Sequence, residues 1–154
     1  MAEAIVEQIA AWMKNAIEGV QDPAETLTLR AVRPKILDWQ AEDFKHGDVI
    51  IEITNTGTLS ITTTSRTEQA EWKLYGIVRT LPENTVADTV LSRMAETVRR
   101  TLLAGNVSGQ ACGGLALNID CPEVNYSIMN GGVVAEVSCQ IKYITDLADG
   151  YSGP

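Results

Sequence analysis

The chain is poor in the residues on which most enzyme chemistry depends. Its 154 residues include a single histidine, His46, and three cysteines, an odd number at wide spacing. One histidine makes a poor start for a zinc site, since zinc usually recruits several His or Cys ligands. Cys112, Cys121 and Cys139 read as buried free thiols of a reducing compartment rather than as a disulfide framework. Positive charge is also scarce: 12 Lys and Arg stand against 20 Asp and Glu, a net charge of −8. The basic residues are scattered, so no general affinity for nucleic acid is expected, and an acidic surface repels DNA. No apolar run approaches the ~20 residues that span a bilayer. Met1-Ala2-Glu3-Ala4 lacks the basic start of a signal peptide, so no secretion is expected. Without secretion the sequons Asn106-Val107-Ser108 and Asn125-Tyr126-Ser127 carry no meaning.

The usual catalytic fingerprints are missing as well. There is no G-x-S-x-G, no Walker-type phosphate loop, and no G-x-G-x-x-G after a strand. Gln110-Ala111-Cys112-Gly113-Gly114 resembles the caspase nucleophile pattern, with His46 upstream as the one available base. Its setting after a helix, in a glycine-rich loop of an antiparallel design, differs from that family, and a small apolar thiol in a loop is the simpler reading. Asp43, His46 and Asp48 form a thin mixed set for a metal, and solvated loop charges account for them. Asp146 and Asp149 lie near the C-terminus, where a flexible tail holds nothing rigidly enough for acid–base work. No catalytic residue, cofactor or metal is therefore expected.

What is present is periodicity. Ile5, Ile9, Trp12, Met13, Ala16, Ile17 and Val20 form the apolar stripe of an opening helix. Leu27, Leu29 and Ala31 alternate in a short strand that Pro34 either restricts to an edge or ends. Residues 35–47 have no period and are expected to form an extended loop, either a contact arm or a surface loop pinned by Trp39 and Phe44. Val49, Ile51 and Ile53 mark a strand. Asn55-Thr56-Gly57-Thr58 has turn chemistry, so a hairpin returning through Leu59 and Ile61 is expected.

The longest unit runs from Thr67 to Gly105. Ala70, Trp72, Leu74, Gly76 and Val78 alternate with Glu71, Lys73, Tyr75, Ile77 and Arg79, the period of a strand with one face on a core. Leu81-Pro82 breaks it. Thr85 with Asp88 resembles a capping box. Val86, Val90, Leu91, Met94, Ala95, Val98 and Leu102 then recur at helical spacing, and Gly105 is placed to end the helix. Arg93, Arg99 and Arg100 fall on its polar side, with Glu96 spaced to pair with Arg93 or Arg100. Beyond a glycine-rich loop, the change of phase at Cys121-Pro122 predicts a β-bulge. Asn130-Gly131-Gly132 predicts a hairpin, and Val133, Ala135, Val137, Cys139, Ile141 and Tyr143 mark one face of the last strand. The whole reads as a single α+β domain over residues 1–144. It has a mostly antiparallel sheet, two amphipathic helices on one face, and a flexible acidic tail at 145–154.

This layout resembles the tail terminator (tail completion) proteins of long-tailed bacteriophages. The likeness rests on several features in order. They are the amphipathic first helix, the strand Trp72-Lys73-Leu74-Tyr75-Gly76-Ile77-Val78, the helix with Arg93 near its middle, and the close. In the close, Val124-Asn125-Tyr126 precedes Asn130-Gly131-Gly132, and the last strand ends in Ile141-Lys142-Tyr143-Ile144. The resemblance spans about Ala4 to Ile144 and carries over no catalytic residue. It implies a structural virion protein, made in the host cytoplasm and placed in the neck region of the tail. Six copies would form a ring that caps the tail tube, ends its polymerisation and meets the head connector, with DNA passing an acidic lumen unbound. No membrane enters this picture. Candidate subunit or partner contacts are Trp39, Phe44 and Lys45 in the loop, Glu71, Lys73 and Arg79 on the strand, Arg93 on the helix, and Asp146 and Asp149 in the tail. Other neck, tube or baseplate components of long or contractile tails share such a pattern. A Cys112/His46 cysteine hydrolase and a small soluble binding module are the readings from other classes.

Overall fold

The fold is taken from a computed structural model that describes residues 4–23, 27–35, 38–79, 87–107, 109 and 111–150. The elements are α1 (Ile5–Ile17), β1 (Arg30–Val32), β2 (Asp48–Ile61), β3 (Ser65–Val78), α2 (Ala87–Val107), β4 (Asn118–Met129) and β5 (Gly132–Asp146). They form one five-stranded sheet in the order β1-β2-β3-β5-β4 with two helices, an α+β fold. Every pairing is antiparallel except that of the three-residue β1 with β2.

The even residues of β3 from Glu68 to Val78 are buried, as the alternation requires. Across the register, Trp72 meets Cys139, Leu74 meets Val137 and Gly76 meets Ala135. Against this face lie Ile5, Ile9, Met13 and Ile17 of α1 and Leu91, Met94, Val98 and Leu102 of α2, so both helices share one core on one side of the sheet. Gly76 sets the distance between layers. A Cβ there would collide with the side chain of Met94, so only glycine lets α2 lie this close.

Several boundaries differ from expectation. β2 does not turn at Asn55–Thr58 but continues to Ile61, absorbing the turn-like residues in two register shifts, at Ile53/Asn55 and Thr58/Ser60. The chain reverses instead at Thr62–Thr64, where the Thr62 hydroxyl accepts the N–H groups of Thr64 (3.3 Å) and Ser65 (3.0 Å). This local hydroxyl-to-backbone geometry competes well with an asparagine–glycine turn. α2 runs past Gly105 to Val107 because the Asn106 amide exchanges hydrogen bonds with the backbone of Ile119 and ties the last turn to β4. The expected Thr85–Asp88 cap and the Leu81-Pro82 break fall outside the described residues. The C-terminal segment joins the fold for longer than expected. β5 continues to Asp146, Leu147 N–H donates to the Thr64 carbonyl at 3.0 Å, and the Gly150 carbonyl accepts the Ile5 N–H at 3.0 Å. That last bond satisfies one of the orphan donors at the start of α1.

The glycine-rich loop also has a structural place. Cys112 adopts a left-handed conformation (φ 51°), followed by Gly113 and Gly114 in the same region. This tight turn seats Gly113 against the Trp12 ring and buries Ala111 and Cys112 in the main core. It closes the gap between α1, the end of α2 and the start of β4.

Candidate functional site

The helix-free face of the sheet has two parts. At one end it is covered by residues 38–47, which lie back on it as a flap. Trp39 is only 5% exposed and packs with Ala41, Ile50, Ile77 and Val134 in a second small core, with Phe44, Tyr75 and Met129 beside it. Its ring meets Tyr75 edge-on at 5.0 Å and Phe44 at 5.5 Å. Its indole N–H donates to the Glu52 carboxylate. Trp39 and Phe44 thus pin the loop to their own sheet. Lys45 stays exposed at the margin, its backbone N–H held by Asp48.

Arg79 fixes this flap. Its guanidinium donates to the carbonyls of Gly131 (3.1 Å), Phe44 (2.9 Å) and Glu42 (3.4 Å), joining the loop to the β4–β5 turn. Glu42 N–H also donates to the Asn130 carbonyl, and Gly131, at φ 92°, leaves no room for a Cβ beside Glu42. The Arg79 N–H donates to His46 Nδ1 at 3.1 Å. Burial lowers the His46 pKa, which favours the neutral ring that this acceptor role needs.

Beyond the flap the face is open and polar. Glu52, Glu71, Asp120, Glu123 and Glu136 share it with Lys73 and Lys142, by the pairings of β2, β3, β5 and β4. Lys73 binds Glu136 at 2.8 Å, and this hydrogen bond raises its pKa. Glu71 borders a shallow cleft there with Lys73, Glu123 and Asn125. Carboxylates outnumber ammonium groups, so this surface is acidic.

Both sheet edges are open among the described residues. β1 covers β2 only from Asp48 to Ile50, and the residues from Ile53 to Ile61 are exposed on both faces. Leu59 is 52% and Ile61 65% exposed. On the other edge, β4 has no outer partner, and its Tyr126 and Ile128 stand in solvent, Ile128 at 86% exposure. The bulge expected at Cys121-Pro122 is present, between Asp120 and Glu123. Sequence alternation found β4 and the first half of β2. It could not identify them as edges, because pairing order is not written in any one strand's pattern.

The remaining candidates are dispersed. Arg93 is exposed on α2, lining a shallow cleft of about 450 Å³ with Arg100 and Pro23, while Glu96 pairs with Arg99 at 2.8 Å rather than with Arg93 or Arg100. Asp146 closes the register opposite Ser65, and Asp149 follows near the start of α1. Asp43 caps its own turn by accepting from Gln40 N–H, and Asp48 is held by Arg30 through two bonds of 2.9 and 2.8 Å. With His46 on Arg79, these three groups do not converge, and no cluster suited to a metal occurs among the described residues. Cys112 lies in the main core under the helices, whereas His46 belongs to the flap on the other face. Burial pushes the Cys112 thiol up to about 12, the opposite of an activated nucleophile. Cys121 and Cys139 sit with sulfurs 3.0 Å apart in the same core, and their mutual contact and burial raise the Cys139 pKa. No helix among the described residues is long and apolar enough to cross a membrane.

No protein-family model matches the sequence, and no curated protein matches it.

Proposed function

We propose that this chain is a structural subunit of a ring that caps a phage tail tube, ends its polymerisation and presents a surface to the head connector. The observation that carries this reading is a sheet with an open acidic face between two open edges. Edge-to-edge association of copies extends such a sheet around a ring, helices outside and acidic face inside. A lumen of that sign, carrying a surplus of carboxylates on every copy, passes DNA without holding it. The chemistry of the chain supports structure over catalysis, since its one histidine and its caspase-like cysteine motif sit on opposite sides of the sheet.

The test is assembly. Purified protein imaged by negative stain should show rings with a central hole, and added to polymerising tail tube protein it should bind tube ends and stop their growth. A tube or baseplate component would instead copolymerise along the tube wall. Monomers at every concentration together with unaltered tube growth would defeat the proposal.

A further inference from the structure

We infer that the seam between copies is formed by two particular edge segments, β2 from Ile53 to Thr58 on one copy and β4 from Val124 to Ile128 on the next. This rests on the ring reading and names the surfaces that make it.

The first ground is protection, or its lack. Exposed strand edges are normally blunted by charge, proline, bulges or brevity, because unpaired N–H and C=O groups template further pairing. The molecule uses these devices in the first half of β4, where Asp120, Pro122, Glu123 and a bulge fall together. It drops them in the second half, where no charged residue occurs between Glu123 and Glu136. The free part of β2 is the same: Glu52 and Arg66 bracket thirteen residues without a charge or a proline, and only the two register shifts interrupt it. In a chain of net charge −8, these are the two strand edges on which copies meet without opposing carboxylates.

The second ground is direction. β2, β3, β5 and β4 alternate strictly, so β4 runs opposite to β2. A second copy placed beside β4 with its helices on the same side therefore offers its β2 in the antiparallel sense. The sheet continues without a break in alternation. The contact joins two different surfaces, which generates a ring when it closes.

The third ground is register. Ile53 is level with Trp72 on β3, and Ile128, through Val133, is level with Val78, six residues further along β3. Seating Ile128 against the next copy's Ile53 shifts the copies ~20 Å along the strands, while four strands span ~19 Å across the sheet. That ratio is a strand tilt of about 45°, at the upper end of the range found in closed barrels. Ile53 and Ile128 both project from the helix-bearing face, so they meet on the same side of the continued sheet.

Two variants break one edge each: Ile53→Lys with Thr56→Lys on β2, and Tyr126→Lys with Ile128→Lys on β4. Lysine lowers the net negative charge, so any loss of association does not come from general repulsion. The wild-type chain, measured by native mass spectrometry, should give the ring. Each variant, folded by circular dichroism, should be monomeric, and an equimolar mixture should give a one-to-one dimer joined by the two intact edges. A third variant, Ile53→Cys with Ile128→Cys, oxidised with copper phenanthroline, should give a disulfide-linked ladder reaching the ring. A folded variant that keeps the wild-type oligomer, a mixture that yields no dimer, or the absence of a ladder overturns the seam and leaves the ring standing. A wild-type chain that is itself monomeric overturns the ring.

Discussion

Arg79 shows how one side chain holds two segments that are distant in sequence. On alternation alone it belongs to the outward set of β3, a candidate for meeting a partner. Its real acceptors are three backbone carbonyls, and no residue pattern announces a carbonyl. Arg79→Ala should lower stability by about 1–2 kcal/mol in urea titration, the low end for charged hydrogen bonds because the site is exposed. Arg79→Lys should recover little, since one ammonium cannot span the same three acceptors. An unchanged urea midpoint would show that the flap holds itself. His46 adds a pH dependence to the same clamp. Its folded pKa lies below the ordinary value near 6.5, so the unfolded chain takes up a proton first. Stability is complete above ~6.5 and falls as pH drops through the folded pKa. His46→Gln, which keeps an acceptor for the Arg79 N–H, should flatten that acid limb.

The buried thiols titrate in the other direction. With the Cys112 pKa at about 12, the folded chain keeps its proton where the unfolded chain, near 8.5, has lost it. Stability from this site is whole below ~8.5 and declines as pH rises toward 12. Cys112→Ala should reduce the alkaline fall and leave the part due to Cys139, and iodoacetamide at pH 8 should label the thiols only when urea unfolds the chain. Rapid labelling of native Cys112 would contradict its burial.

At the scale of elements, β3, β5 and both helices were legible in the sequence because each has one face on a core, and a single buried face imposes a single period. Residues 38–47 were legible only as one of two alternatives, the loop pinned by Trp39 and Phe44, since a flap laid on a sheet needs a few side chains in the right places and no period at all. Trp39→Ala should cost about 3–5 kcal/mol, the usual range for deleting a buried large aromatic, with loss of the Trp39 contribution to fluorescence. A cost below ~1 kcal/mol would mean that the second core is not a stabilising unit. The long β2 was hidden for a different reason. Asn55-Thr56-Gly57-Thr58 favours a turn locally, but cross-strand pairing along β3 and the Thr62 hydroxyl turn outweigh that preference. Gly76 was placed correctly on the core face by alternation, while its reason, the approach of Met94, exists only once α2 is packed. Gly76→Ala should cost about 1–3 kcal/mol through overpacking. Met94→Ala should relieve much of that clash, so the two substitutions should be non-additive in a double-mutant cycle.

At the scale of the molecule, the proposed ring draws on three kinds of surface. One sheet face is covered by the helices, the other carries acid beyond the flap, and each edge has a stretch without charge. The account predicts weak DNA binding even at low salt, and charge reversal of Glu71 and Glu123 to Lys should create a salt-sensitive affinity for duplex DNA in the ring. The most direct test of the central claim is the mass of the native wild-type assembly. The account predicts a closed species of six copies of a 16.7 kDa chain, about 100 kDa, without a continuous series of larger forms. A lone 16.7 kDa species across the whole concentration range would contradict it.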